Sequence, residues 1–338
     1  MSVENKLATF DESRLFLWGG AAVGGSGLLW IIPGLNAVFS VAAIAALILI
    51  VSRLGYMRAI WAALGGLILV MGTSSLFMGG SIGAINAGVF AVAVIAPGIM
   101  MGVASRGLAS AIKTIWFGAI PILILFALIL TFYSSLVQSI PSITSKINTI
   151  ASVSIDQNQM LKKMLADQYG EDGAKDKFIA EIDKSVTFFI KIIPGTVLVG
   201  FLTIIVISLV LAGRIGTRYG LMIPRLKPFY LWQASDWWLL PTALGLALSI
   251  FVTNDFWHFL GINILVVTGN VYALAGLAVM EAFMKRLMFP IPLRIALYIV
   301  LFFLNFIGLV FLAIIGLADS RFSFRRQTPE EKEDSQDN

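Results

Sequence analysis

The sequence has no cysteine and a single histidine, His258, among its 338 residues. Without cysteine, the chain cannot form disulfides, thiolate metal sites or lipid attachments through sulfur. One histidine cannot supply the several imidazole ligands of a multi-histidine zinc site. The sequence therefore predicts a protein without a metal centre, and nothing in it predicts a bound cofactor.

The sequence also has few charged residues, which make up 13% of the chain against 58% hydrophobic residues. Soluble domains carry roughly a quarter charged residues, and the mean hydropathy here is +0.90. So few polar residues cannot cover a water-exposed surface, and the composition predicts an integral membrane protein. The basic residues flank apolar runs in short clusters, and they form no aromatic-interleaved patch that would predict nucleic-acid binding.

Apolar runs long enough to cross a bilayer follow one another along the chain. About 20 apolar residues span ~30 Å of hydrocarbon, and only a helix satisfies their backbone there. The fold class predicted is all-α, a polytopic transmembrane helical bundle with nine spans, or eight if the first two runs form one span and a re-entrant piece. The predicted spans are 15–32, 35–51, 59–79, 81–104, 115–136, 185–213, 239–252, 259–283 and 295–317.

Basic residues in the loops predict the orientation of these spans. The loop from Arg214 to Trp238 contains four basic residues and one acidic residue, and the positive-inside rule places it on the cytoplasmic side of a bacterial inner membrane. With nine spans, the tail residues Arg321, Arg325 and Arg326 would lie outside, against the same rule. Two explanations stay open: the tail is tolerated outside, or one segment after Gly213 does not fully cross.

Residues 137–184, called the insert below, form the one long polar segment between apolar runs. Their charges nearly cancel, so the short loops decide the topology and place the insert outside the cytoplasm. Apolar residues at helical spacing, and Ser154 followed by Gln157 as a capping box, predict an extracytoplasmic helical hairpin. Its apolar stripe packs on itself, lies on the bilayer surface, or covers an external cavity as a lid.

The chain is thereby predicted to have four parts. Transmembrane helices occupy 1–136 and 185–317, and the insert at 137–184 lies between them. Residues 318–338 are charged, contain proline and have no apolar face, which predicts a disordered tail.

The spans contain few groups that could perform catalysis. No carboxylates are paired within them, no serine lies near a histidine at depth, and no glycine-rich phosphate loop follows a strand pattern. Glu281 lies four residues before Lys285 on a predicted helix, so an ordinary ion pair explains it as well as a function does. The sequence therefore predicts no catalytic residue and a protein that is not an enzyme.

Neutral amides are the remaining polar candidates in the spans. Asn263 and Asn270 are seven residues apart and therefore share one helix face, and Asn86 lies in an earlier span. One interpretation is that these amides join helices by hydrogen bonds. The other is that Asn86, Asn263 and Asn270 line a binding site for a small, largely neutral or aromatic solute.

Small residues at four-residue spacing mark helix faces that can approach another helix closely. Two such pairs, Gly20 with Gly24 and Ala42 with Ala46, lie in the first two apolar runs. They predict either tight packing within the chain or helix-docking surfaces for a second membrane protein.

Three stretches carry a family resemblance. They are IIPGTVLVGFLTIIVISLVLAGRIGTRYGLMIPRLKPFYLWQASDWWLLP, ending at Pro241, SRLGYMRAIWAALGG from Ser52 to Gly66, and IGLADSRFSFRR from Ile315 to Arg326. With them the chain resembles the YybS-like bacterial membrane proteins of unknown function. That family is distantly similar to the substrate-binding S components of energy-coupling-factor importers, although this chain has more spans and a long insert.

The resemblance implies transport. S components capture a small solute in the bilayer and dock on a membrane coupling subunit that paired ATPases drive. The leading prediction is accordingly a membrane protein that binds a small solute for uptake and has no ATP site of its own. The alternatives are a non-transport scaffold for envelope or cell-division machinery and a lipid or polymer flippase.

Overall fold

The computed structural model describes residues 12–32, 34–131, 133–170, 173–218 and 220–322. Across these ranges the secondary structure is helical with connecting turns and contains no strand, which confirms the all-α prediction. The sequence predicts eight or nine spans, and six helices are long and apolar enough to cross a bilayer. These six are Leu35–Leu54, Tyr56–Met78, Gly80–Arg106, Ala111–Thr131, Ala174–Arg218 and Asp255–Arg286.

The chain forms two compact units. Unit 1 consists of Met1–Ala127 and Leu198–Phe229, and unit 2 consists of Leu128–Val197 and Tyr230–Asn338. Unit 1 contains α1 (Glu12–Leu28), α2 (Leu35–Leu54), α3 (Tyr56–Met78), α4 (Gly80–Phe90), α5 (Ala96–Arg106) and most of α6 (Ala111–Thr131). A π-helical turn, Ala91–Ile95, joins α4 to α5 just before Pro97.

Helix α2 is the centre of unit 1, because every residue from Ala43 to Val51 is buried. Glycines on the neighbouring helices allow this close packing. A methyl group added at Gly98 of α5 would lie 2.8 Å from the Leu47 side chain, and one at Gly102 would lie 2.5 Å from Val51. Gly98 and Gly102 of α5 therefore allow close helix packing inside unit 1.

Unit 2 contains α7 (Tyr133–Gln157), α8 (Gln159–Tyr169), the first half of α9 (Ala174–Arg218), α10 (Leu239–Phe251), α11 (Asp255–Arg286), α12 (Ile291–Phe303) and α13 (Asn305–Phe322). Helix α9 has 45 residues, about 68 Å at 1.5 Å per residue. It runs from the insert through the predicted span at 185–213 without a break. The predicted boundary at residue 184 is therefore not an interruption in the helix.

The insert is helical, as the sequence predicts. Helix α8 follows α7 and precedes α9, and Ile155, Leu165 and Ala174, one from each helix, form a small apolar core. The predicted capping box is wrong: Ser154 lies inside α7, and Asn158 caps α8 by accepting two main-chain hydrogen bonds. Asparagine at this position satisfies amide groups that have no partner in the first turn.

The insert also contains an ion pair that predicts a pH dependence. The Nζ of Lys175 donates a 2.6 Å hydrogen bond to Asp156, and this bond holds the pKa of the Asp156 carboxyl below its usual value. A lowered pKa stabilises the folded form above the unfolded pKa of about 3.9, and this contribution is lost as pH falls through the folded pKa. The pair is solvent-exposed, so the effect is small.

We therefore expect hydrogen exchange in α8 to accelerate slightly between pH 7 and pH 3, after correction for the intrinsic rates. Asp156→Asn should remove this acceleration, whereas Asp167→Asn, on α8 and outside the pair, should keep it. An equal acceleration in the wild type and in Asp156→Asn would contradict the assignment.

The last predicted span, Ile295 to Leu317, is divided at Leu304 between α12 and α13. A methyl group at Gly308 would lie 2.8 Å from the main-chain oxygen of Leu301, whereas seven residues of straight helix rise about 10 Å. The chain therefore bends sharply here, and α12, with 13 residues, is about 20 Å long. The bend favours the explanation that one segment after Gly213 does not fully cross.

The predicted tail begins later than the sequence indicates. Residues 318–322 belong to α13, and Asp319 is fully buried. Helix α13 continues because Leu317 packs with α11 residues in one apolar cluster. The remainder of the predicted tail, 323–338, lies outside the described residues.

Candidate functional site

The side chain of Asn263 on α11 forms a bridge into the backbone of α9. Its Oδ1 accepts a 2.6 Å hydrogen bond from the Gly195 N–H, and its Nδ2 donates a 2.9 Å bond to the Lys191 carbonyl. In an uninterrupted helix these two main-chain groups would bond to each other. We call this arrangement, Asn263 with Gly195 and Lys191, the amide bridge.

The sequence around Pro194 makes the amide bridge possible. Proline has no N–H and weakens the helix one turn before it, and Asn263 bonds to the backbone of α9 in this turn. Gly195 leaves the room that the amide needs, because a methyl group there would lie 2.8 Å from Asn263 Oδ1. Asn263 is fully buried, and all of its polar atoms are used, since Nδ2 also donates to Phe259 O at 2.9 Å.

The other two amides are placed differently. Asn270 is partly buried and donates a 2.8 Å bond to the Val266 carbonyl of its own helix. Asn86 belongs to unit 1, where it donates a 3.2 Å bond to Ser74 on α3. Asn263 and Asn86 thus join helices, which is the first of the two interpretations that the sequence allows.

The small-residue pairs divide between packing and surface positions. Gly24 of α1 faces Leu69, and Ala46 of α2 is buried opposite Gly19. Gly20 and Ala42 are partly exposed, and no atom lies within 4 Å of a methyl group added at Gly20. One residue of each pair is therefore open to a docking partner, and docking at these pairs stays a prediction.

Charged and aromatic groups gather around Glu281 near the C-terminal end of α11. The Tyr298 hydroxyl donates to Oε2, while Arg294 Nη1 lies 3.7 Å and Lys285 Nζ 3.8 Å from Oε1. Lys285 also lies over the Tyr230 ring, 3.7 Å from its centroid. We call these five residues the charge cluster. The sequence indicated only its Glu281–Lys285 pair.

Irregular backbone packs against α11 and α13 in unit 2. Residues from Trp232 to Trp238 contain only one 3-10 turn and surround Tyr272 and Ala275 with apolar side chains. The Gln233 side chain donates a 3.0 Å bond to the main-chain oxygen of Asp319. Non-helical backbone at membrane depth is tolerated only where protein or a water-filled cavity covers it.

Unit 1 contains an open cleft where α9 ends. It has a volume of about 380 Å³ and lies between the turn at Leu108 and Ala109 and the segment from Leu221 to Arg225, with Thr217 on its wall. Small-molecule sites typically have volumes of about 300–1,000 Å³. Among the described residues that line it, Arg225 is the one with a charge.

Several of these residues were not singled out from the sequence. Gly195 beside Pro194, in the middle of an apolar run, was the available signal for the amide bridge. Arg294 and Tyr298 lie on α12, after the turn that ends α11, and Tyr230 lies before α10. Their approach to Glu281 therefore depends on how these segments pack. Among the described residues, no three His, Asp or Glu side chains lie together in a way that could hold a metal ion.

Comparison with known proteins adds one finding. A protein-family model matches residues 26–320, which is most of the chain. No curated protein and no solved structure matches the chain. The roles of individual residues are therefore inferred from their geometry alone.

Proposed function

The chain belongs to the family described as predicted membrane proteins (DUF2232), and we propose that this integral, multi-pass membrane protein binds a small anionic solute for uptake. The charge cluster in unit 2 carries the proposal. Ionisable side chains on apolar helices are costly and mark functional sites by default. The Glu281 side chain is 17% exposed and lies on a helix apolar enough to span a bilayer.

The geometry of the charge cluster favours an anion. Lys285 and Arg294 supply two positive charges against one negative charge. Their 3.7–3.8 Å distances from Glu281 are longer than the 2.7–2.9 Å of a direct charge-assisted hydrogen bond. The two cations thus keep donors for a carboxylate or phosphate, and the Tyr298 hydroxyl and the Tyr230 ring lie beside them. This differs from the neutral solute that the sequence favours.

Two further features support uptake. The division between α12 and α13 at Leu304, and the irregular Trp232–Trp238 segment, resemble the discontinuous helices that form binding sites in transporters. The resemblance to YybS-like proteins and to S components implies a small solute and a coupling subunit with ATPases as partner. Basic loops in the cytoplasm would place the insert on the side from which the solute arrives, and the charge cluster at the end of α11 on the side to which it is delivered.

The test is a thermal-shift screen of the full chain in nanodiscs against small carboxylates and phosphates. We expect at least one class to stabilise the protein. Arg294→Gln should weaken its binding about 10- to 100-fold, because a hydrogen bond to a charged group contributes about 1.5–3 kcal/mol.

Arg286→Gln is the matched control, since Arg286 follows Lys285 on α11 and lies outside the charge cluster. It should bind like the wild type. The proposal fails if no compound stabilises the wild type with or without candidate coupling subunits, or if Arg294→Gln binds unchanged.

A scaffold for envelope or cell-division machinery is the second candidate, and exposed apolar residues of the insert favour it. Ile150 is 67% exposed, and Met160 and Met164 are 74% and 61% exposed. Such side chains on a polar segment are typical of surfaces that bind a partner.

A photo-cross-linker at Ile150 in living cells would separate the two candidates, with the buried Ile155 on the same helix as control. Envelope-assembly proteins captured only from position 150 would support the scaffold. Capture of a coupling subunit or ATPases would support uptake.

A further inference from the structure

We propose that the cleft in unit 1 binds one anionic phospholipid, with the phosphate at Arg225 and an acyl chain against Leu108 and Met222. This inference is independent of the solute proposed for unit 2. It is based on the lining of the cleft, on the charge of unit 1, and on the exposed apolar side chains at its edge.

The cleft combines an apolar wall with one cation. Leu108, Leu221, Met222, Ile223 and Pro224 supply most of the lining. After α9 ends, the chain turns back along the helix, so that Ile223 packs beside Gly216 and is buried. This return forms one wall of the cleft. An amphiphile with an apolar body and an anionic head matches such a lining.

The charge of unit 1 is complementary to an anionic lipid. Unit 1 has three acidic residues, Glu4, Asp11 and Glu12. Over residues 12–127 and 198–229 Glu12 is the only one, and it pairs with Arg58 at 2.9 Å. Basic pockets at the ends of membrane helices bind anionic head groups. The nine basic residues of these ranges are Arg14, Arg53, Arg58, Arg106, Lys113, Arg214, Arg218, Arg225 and Lys227.

Exposed apolar side chains at the cleft favour a lipid over a free phosphate compound. Leu108 is 77% exposed and Met222 is 84% exposed. Leu108 also has a φ of 56°, a left-handed backbone that residues other than glycine rarely adopt. A soluble phosphate compound would leave these two side chains exposed to water, whereas an acyl chain would cover them.

The experiment is native mass spectrometry of the full chain released from nanodiscs that contain phosphatidylglycerol and phosphatidylcholine in equal amounts. We expect the wild type to retain one phosphatidylglycerol in preference to phosphatidylcholine. Arg225→Gln should reduce that preference about fivefold, the effect of one basic residue at an anionic surface. Arg225→Lys should retain part of it, and Lys227→Gln, in the same loop but outside the lining, should retain all of it.

Three results would overturn the inference. The first is equal retention of the two lipids by the wild type. The second is an equal loss in Arg225→Gln and Lys227→Gln, which would indicate general attraction to the positive face. The third is displacement of the lipid by millimolar inorganic phosphate, which would indicate a site for a soluble phosphate. A melting temperature measured for each variant excludes misfolding as the cause of any loss.

Discussion

Replacing Gly276 by alanine is expected to destabilise unit 2 by about 3 kcal/mol, the upper end of the usual cost of overpacking. A methyl group at Gly276 would overlap the main-chain oxygen of Leu312, and one at Gly316 would overlap that of Tyr272. Helices α11 and α13 therefore touch through their backbones at two points. A main-chain oxygen cannot rotate away, so the helices must separate.

Gly269 provides the matched control on the same helix, since no atom lies within 4 Å of a methyl group added there. Gly269→Ala should be neutral or stabilising, because alanine favours helix by up to about 1 kcal/mol over glycine. The measurement is thermal unfolding of both variants in one detergent or nanodisc. Equal unfolding temperatures for Gly276→Ala and Gly269→Ala would contradict the close approach of α11 and α13.

Replacing Asn263 by leucine is the second change with a large expected effect. Leucine fills the space of the amide but leaves the Gly195 N–H and the Lys191 carbonyl without a partner. A buried polar group left in this way costs about 1–3 kcal/mol. We expect Asn263→Leu to cost about 2 kcal/mol or more in thermal or denaturant unfolding.

Asn263→Ala should cost less than Asn263→Leu, although it removes more atoms. With the side chain gone, Gly195 and Lys191 can bond directly and close the helix. Asn270→Leu is the control, since that amide bonds only within its own helix, and it should have a small effect. If alanine proves more damaging than leucine at position 263, the amide acts by packing and not by bridging the backbone.

The all-α membrane fold follows directly from the sequence, because the length of an apolar run and its flanking charges act locally. The break at Leu304 does not, since Leu304 lies in an apolar run that only Asn305 interrupts, with no proline beside it. The bend becomes visible only when Gly308 is found beside Leu301. Helix length from hydropathy therefore overestimates this crossing.

The candidate site is predictable only in part for a related reason. The sequence identifies Asn263 as an amide in an apolar helix, but its partners lie about 70 positions earlier in the chain. Gly276 and Gly316 were not identified either, because each meets a carbonyl on the other helix, and Gly276 has no small residue four positions away. Contacts between distant residues are set by packing, which a single sequence does not record.

Helix α9 joins the insert to the amide bridge as one rod. From Ala174 to Gly195 the helix has no break, a column of about 30 Å. A displacement of the insert would therefore be transmitted along α9 to the hydrogen bonds that Asn263 makes with Gly195 and Lys191. A lid on a flexible tether would move without displacing the membrane helices, whereas a movement of this helix would displace the backbone to which the buried Asn263 bonds.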